Sequence, residues 1–346
     1  MPLVDKIVAR IHHWSSRLLS YTGRIQLVKS VTAAMVQYWM QCLPLPKVVI
    51  RKIESICRSF IWTGKNTISR KYPVAWNCTC CLTAQDGLNL LNLQVWNNVL
   101  LLKCLWNLCN KTDNLWVKWI HTHYLKENSV MNYEIKAYNS WIVCGILKQR
   151  DNMEFIRNEW EQIIITQKFK ASVIYKVLID DGTRVLWGNL IKFNKARPRA
   201  VFCLWKACHG KLATKERLKR FGMIEDNNCK LCQAEDETLN HLFFSCQETK
   251  HIWKEVLNWF NISHDPQPWD AKLVWISNNT KGKGWKVEVL KMLVAETIYN
   301  IWGYRNGKTF GNTVDITTTI TNFIDHVIYR GWNNCRIKKH LVSFMM

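Results

Sequence analysis

Cys229-Lys-Leu-Cys232, eight further residues, then His241-Leu-Phe-Phe-Ser-Cys246 is the stretch that decides how this chain is read, because it places three thiols and one imidazole within eighteen positions. Zn²⁺ takes four such donors tetrahedrally, and a Cys-x₂-Cys pair on a tight turn is the usual first half of a site. The second pair must return to the same point. Residues five apart on an ideal helix lie about 140° apart around its axis, so His241 and Cys246 cannot share one regular helical face. One of them has to sit where a helix starts or stops. Thr238 is placed to cap a short helix with His241 in its first turn, where the positive helix end favours the neutral, metal-binding imidazole. Cys246 then lies past that helix, at the entrance to the next. The expectation is a structural zinc held by Cys229, Cys232, His241 and Cys246.

The same residues allow three other readings. They could be ordinary buried thiols, since the chain has 14 cysteines. They could pair as disulfides, although no secretory signal supports that. A catalytic zinc would need an open position, which four protein ligands do not leave.

Outward from this stretch the charge changes sign. Residues 225–248 hold six Asp/Glu and one Lys, whereas residues 195–220 hold nine Lys/Arg and one Glu. Residues 1–126 carry 16 Lys/Arg against four Asp/Glu, and the whole chain carries 48 against 26, a net charge of +22. A clustered excess of this kind points to a polyanion, RNA or DNA. The candidate phosphate contacts are Lys206, Lys211, Lys215, Arg217, Lys219 and Arg220, with Lys6, Arg10, Arg17 and Arg24 as a second patch. Such contacts give affinity without sequence choice.

Apolar spacing predicts a helix over 3–19, with Ile7, Ile11, Trp14 and Leu18 on one face, and a second over 24–41. Pro44 and Pro46 precede a third, Lys47–Trp62, which Gly64 stops. Residues 65–90 are looser; their Cys78-Thr-Cys80-Cys81 lacks a partner pair. Helices follow over 92–109 and 113–125, and His121-Thr-His123 reads as surface. Residues 127–168 are polar and read as a linker region, with helices around 140–150 and 153–165.

A second unit opens with Phe169–Ile179, and Asp180-Asp181-Gly182 is a turn. Pro198 starts a helix through Phe202, Leu204 and Trp205. Thr214 caps a short one, with Leu218 and Phe221 inward and Gly222 as its stop. After Cys246 a helix carries Ile252, Trp253, Val256 and Trp259. Residues 261–283 read as loop. A long helix then places Val287, Leu290, Val294 and Ile301 on one face, and a last one covers 314–332.

A chain of 346 residues, 48% hydrophobic and 21% charged, is globular and long enough for two or three domains. Its 19 Trp fit several packed helical layers, or a surface meant to pack on something larger. Asp5, Lys6 and Arg10 interrupt any apolar leader, and no run approaches the roughly 20 apolar residues of a membrane span. No membrane partner is expected. Fourteen cysteines without a secretion signal imply an intracellular, reducing compartment, nucleus or cytoplasm.

With these residues laid out, the chain resembles the C-terminal part of plant LINE-type (non-LTR) retrotransposon reverse transcriptases, including their zinc-binding domain. The matching residues are Trp187, Pro198, Phe202 and Trp205, then Lys211-Leu-Ala-Thr214, Arg217-Leu218 and Gly222. Cys229, Cys232, Glu237-Thr238, His241-Leu-Phe-Phe, Cys246 and Ile252-Trp253 complete the pattern. The N-terminal part is similar to the segment after the polymerase palm, through Trp14, Leu19-Ser20-Tyr21, Gly23-Arg24, Trp62-Thr-Gly64, Ala75-Trp76 and Gly87-Leu88. In the tail Ile301-Trp302, Arg305-Asn306 and Phe310 fit. Asp86 and Asn89 stand where the family has glycines, and both residue types tolerate a left-handed backbone.

Polymerase chemistry in the family uses palm carboxylates on two metal ions, including a Tyr-x-Asp-Asp turn. The only Asp-Asp pair here is Asp180-Asp181, with Leu178 in place of that Tyr, and it lies in the leading segment of the zinc unit. The resemblance therefore implies a mainly α chain without catalytic residues. Residues 1–126 would form a thumb-like helical bundle, 127–168 a linker region, 169–260 the helical unit with its Cys-Cys-His-Cys zinc knuckle, and 261–346 C-terminal helices. It implies a non-catalytic, zinc-stabilised fragment that binds RNA or DNA without sequence specificity. The other expectations are a module docking a protein partner, such as a full-length reverse transcriptase in trans, or a non-functional remnant of the element.

Overall fold

The computed structural model describes every residue except 1, 15–18, 43, 66, 70, 71, 181, 265, 266, 312–315, 335, 336 and 341–346. Arg17, Leu18 and Asp181 lie outside the described residues. The chain is mainly α, as its apolar spacing predicts; among the described residues β structure is confined to one isolated bridge, Asn228 with Asp236. Backbone contacts separate two compact units, residues 1–82 with 87–183, and residues 83–86 with 184–346.

In the first unit, Pro2–His13 buries Leu3, Val4, Ile7 and Ile11, the face its period specifies. Helical residues Tyr21–Leu27 and Ala33–Cys42 flank a π-turn, Val28–Thr32. Lys47–Thr63 begins after Pro46 and ends at Gly64, whose φ of 74° is the left-handed cap that glycine supplies. Asp86 and Asn89 both adopt positive φ, 75° and 59°, as their residue types allow. Gly87 is required for another reason: a Cβ there would stand 1.9 Å from the Cys81 carbonyl oxygen.

The stretch 127–168 is more ordered than a linker. Trp141–Leu147, a 3₁₀ segment Lys148–Ile156 and Arg157–Thr166 follow one another. They bury Val143, Ile146, Leu147, Ile156, Trp160 and Ile163 in one core with Leu102, Leu105 and Ile120. Arg150 threads its guanidinium to the carbonyls of Met131 and Tyr133 at 2.7 and 2.9 Å, which ties the polar 130s to this core. His121 is not simply surface, since its Nε2 donates to the Leu108 carbonyl at 3.0 Å.

By its backbone contacts Ala171–Ile179 packs in this first unit. Ile174 is fully buried in the core around Leu102. The Tyr175 hydroxyl accepts from the Asn92 amide at 2.9 Å, and its ring meets Trp96 edge-on at 5.6 Å. The Asp180 carboxylate accepts from the Gly182 amide at 2.9 Å, which makes the expected turn.

The second unit is built around Trp285–Phe310. Every residue from Val289 to Ile298 is buried, so this helix is enclosed all round rather than amphipathic. It carries two ionised groups inward. Glu296, fully buried, accepts from the Arg197 amide and guanidinium at 2.9 and 2.6 Å, just where Pro198–Cys208 starts. Arg305 reaches Glu237. The four-residue insert 83–86 docks here too: the Asp86 carbonyl accepts from Trp205 Nε1 at 2.7 Å, and Ala84 O accepts from the Val185 amide.

Two local expectations are corrected. Residues 261–283 are not all loop, because Trp269–Asn279 is a helix that buries Trp269, Leu273 and Ile276. Pro266 and Pro268 argue for loop by composition, but Pro268 is the cap position at which this helix starts, and Asn240 Oδ1 accepts from the Trp269 amide at 2.7 Å. Phe221 points out, 64% exposed, and Arg217 lies over its ring instead.

Candidate metal centre

Cys229 and Cys232 sit on a tight turn closed by a miniature hairpin. The Cys229 amide donates to Glu235 O at 2.7 Å, the Glu237 amide to Asn227 O at 2.7 Å, and the Gln233 amide to Cys229 O at 3.0 Å. Gln233 takes φ 58° to let the chain reverse. This turn aims both thiols at one point.

The second pair solves the five-residue problem in an unusual way. Thr238 Oγ1 accepts from the His241 amide at 2.9 Å, the expected cap. Residues 241–245 then form a π-turn, and the Cys246 amide donates to the His241 carbonyl at 2.8 Å, an i→i+5 bond. The wider turn brings position i+5 back beside position i. Cys246 is extended, φ −65° and ψ 135°, and stands at the N-cap of Gln247–Trp259.

Sγ of the three cysteines and a ring nitrogen of His241 all lie within 4.8 Å of one another, with Cys232 Sγ 3.2 Å from His241 Nε2. A tetrahedron with Zn–S about 2.3 Å and Zn–N about 2.0 Å has edges of roughly 3.5–3.8 Å. The donor set and its spacing therefore fit zinc. Cys229, His241 and Cys246 are buried and Cys232 is half-buried, so such a site is closed to substrate.

Electrostatics favour a cation there. Amides of Leu231 and Cys232 point at the Cys229 sulfur, and those of Glu248 and Thr249, in the first turn of the next helix, point at the Cys246 sulfur. Cys229 and Cys246 contest one proton: the Cys246 thiol holds Cys229 below the usual thiol range and is itself pushed up. A divalent cation would replace that shared proton.

His241 Nδ1 donates to Glu235 Oε2 at 2.9 Å, which fixes the tautomer and turns the Nε2 lone pair towards the thiols. Glu235 has no signal in sequence beyond lying among acids. Glu237, one of the residues that carry the family resemblance, is fully buried and accepts from Arg305 Nε and Nη2 at 3.0 and 2.5 Å and from the Lys215 amide at 2.9 Å. This clasp ties the knuckle to the long helix and to Lys215–Arg220.

The basic residues proposed from sequence are only partly open. Lys215 is buried and pairs with Asp226 at 2.6 Å. Lys206 is half-buried, and burial pushes its pKa down. Arg217 donates to the Gly210 carbonyl at 2.6 Å, Arg220 pairs with Glu216, and Lys219 donates to Asn227 Oδ1. Lys211, Arg217 and Arg220 nevertheless line one cleft of about 300 Å³. In the first unit Lys6 and Arg10 are exposed, while Arg24 is anchored to the carbonyls of Leu19 and Ile61.

Residues 169–253 match the family model described as zinc-binding in reverse transcriptase, and all four clustered ligands fall inside the match. A protein of Arabidopsis thaliana, provisionally named a ribonuclease H protein, is 24% identical over 122 residues, 35% of this chain and 20% of its own length. The chain thus spans about a fifth of the curated relative it matches. Among the described residues no helix is long and apolar enough to cross a membrane. Residues 169–253 are thus similar to a reverse transcriptase zinc-binding domain, and they hold a Cys₃His set that could bind the metal.

Proposed function

We propose that the chain is a zinc-stabilised, nucleic-acid-binding part of a LINE-type retrotransposon reverse transcriptase, with no polymerisation chemistry of its own. The observation that carries this is the Cys₃His cluster inside the matched segment, on a chain with net charge +22. Zinc held by Cys229, Cys232, His241 and Cys246 supplies cross-linking, not catalysis, since four protein ligands fill a tetrahedron. The zinc-binding domain is taken as 169–260, although its leading helix Ala171–Ile179 packs in the first compact unit, with 1–126 as a thumb-like bundle and 261–346 as C-terminal helices, in a reducing compartment inside the cell. Binding is through phosphate, so it is not sequence-specific and does not separate RNA from DNA by base contacts. The ribonuclease H function in the relative's name is assigned to no residue here.

The test is a titration of RNA and of DNA at rising salt. The expected result is a steep linear fall of log K with log salt, with a slope near −0.9 per neutralised phosphate on duplex DNA. Binding unchanged between low and physiological salt contradicts the proposal.

A second reading is favoured by one observation. Trp141, Phe155 and Ile165 are 56%, 74% and 80% exposed along one short stretch of the first unit. Large apolar side chains exposed in this way suit a protein partner, including a reverse transcriptase supplied in trans. A stoichiometric complex with that enzyme, formed by a chain that binds no RNA or DNA, decides for this reading.

A further inference from the structure

Beyond Cys246 lies a cavity of about 520 Å³, within the range of small-ligand sites. Gln247–Trp259 and the loop after it form its walls, with Lys272 of Trp269–Asn279. Its lining contains three lysines and two histidines and no carboxylate. Lys250 and Lys254 are exposed and one turn apart on the same helix, an arrangement of like charges that destabilises a helix unless an anion lies between them. Lys272 is different: it is only 2% exposed, and its ammonium lies 5.0, 5.8 and 6.0 Å from the ring centroids of Trp275, Trp253 and Phe244. His264, also in the lining, lies flat on Trp275, with ring centroids 3.9 Å apart and an interplanar angle of 9°. Cations around a flat aromatic step are the two parts of a single-strand nucleotide site.

We propose that this cavity receives one nucleotide of a single strand, its phosphate against Lys250, Lys254 and Lys272 and its base on the ring of His264, which Trp275 backs from behind. This rests on the nucleic-acid reading above and gives it a location. The basic helices before the knuckle spend several of their cations internally, whereas Lys250 and Lys254 make no ion pair among the described residues.

The experiment uses the full chain, with uridine monophosphate, uridine, inorganic phosphate and a 20-nucleotide single strand as probes. The variants are Lys250→Glu with Lys254→Glu, His264→Ala, and Lys283→Glu as an exposed lysine outside the cavity. Thermal unfolding confirms that each is folded, and the lysine pair sits at exposed positions where charge reversal leaves the core intact. The expected result is nucleotide binding at least tenfold tighter than uridine or phosphate alone, at least tenfold weaker in the double lysine variant, several-fold weaker in His264→Ala and unchanged in Lys283→Glu. Phosphate binding as tightly as the nucleotide, or nucleotide binding untouched by the lysine variant, overturns the site. Strand binding that the cavity variants leave unchanged overturns the site alone, whereas no strand binding by the wild type overturns the broader reading as well.

Discussion

Two neighbouring segments of the second unit carry opposite charge and use it differently. The knuckle, residues 225–248, is acidic, and two of its carboxylates are committed to partners: exposed Glu235 orients His241, and buried Glu237 neutralises buried Arg305. The preceding segment, residues 195–220, is basic, yet Arg197 is bound to Glu296, Lys215 to Asp226 and Arg220 to Glu216. A charge count therefore says that a polyanion is attracted, not where it sits. Several charges around the knuckle are drawn into clasps, while Lys211, Lys250 and Lys254 stay open.

The largest effect is expected at the metal. Chelation, or Cys232→Ser, removes a structural zinc whose apparent binding energy in such modules is of order 10 kcal/mol, so the second unit should unfold while the core around Leu102 persists. Circular dichroism and hydrogen exchange with and without chelator check this; equal loss of protection in both units contradicts it.

A smaller effect is expected at the clasp. Glu237→Gln leaves Arg305 buried beside a neutral group and should cost about 3–5 kcal/mol in denaturant unfolding. Replacing both partners by Met should cost much less, because no uncompensated charge remains. If the double variant is as unstable as the single one, the pair is not acting as an ionic clasp.

The smallest change concerns the cap. Thr238→Ala orphans the His241 amide and should cost about 1 kcal/mol, with weaker zinc affinity read by competition with a metal indicator. A variant with unchanged stability and affinity would show that the π-turn holds His241 without its cap.

What could be read in sequence was local. Pro46 and Gly64 bound one helix, Thr238 caps the turn that carries His241, and the Cys-x₂-Cys and His-x₄-Cys spacings converge as expected. The geometric conflict between His241 and Cys246 was also legible; its resolution by a π-turn was not, because period arguments assume a regular helix. Illegible too were the partners that meet across long separations. Glu237 and Arg305 stand 68 positions apart, and Arg197 and Glu296 stand 99 apart. No local spacing marks them, and a buried acid looks in sequence like a solvated one. The same limit applies to Phe169–Ile179: its apolar run signals a helix, but only Tyr175 meeting Asn92 and Trp96 says which core it packs in.

The central claim is tested most directly by metal analysis and X-ray absorption on the full chain. The expected result is one zinc per chain, with three sulfurs at about 2.3 Å and one nitrogen at about 2.0 Å, and none in Cys232→Ser. A well-folded wild type without zinc, or a zinc bound by oxygen donors in place of any of the four, would contradict it.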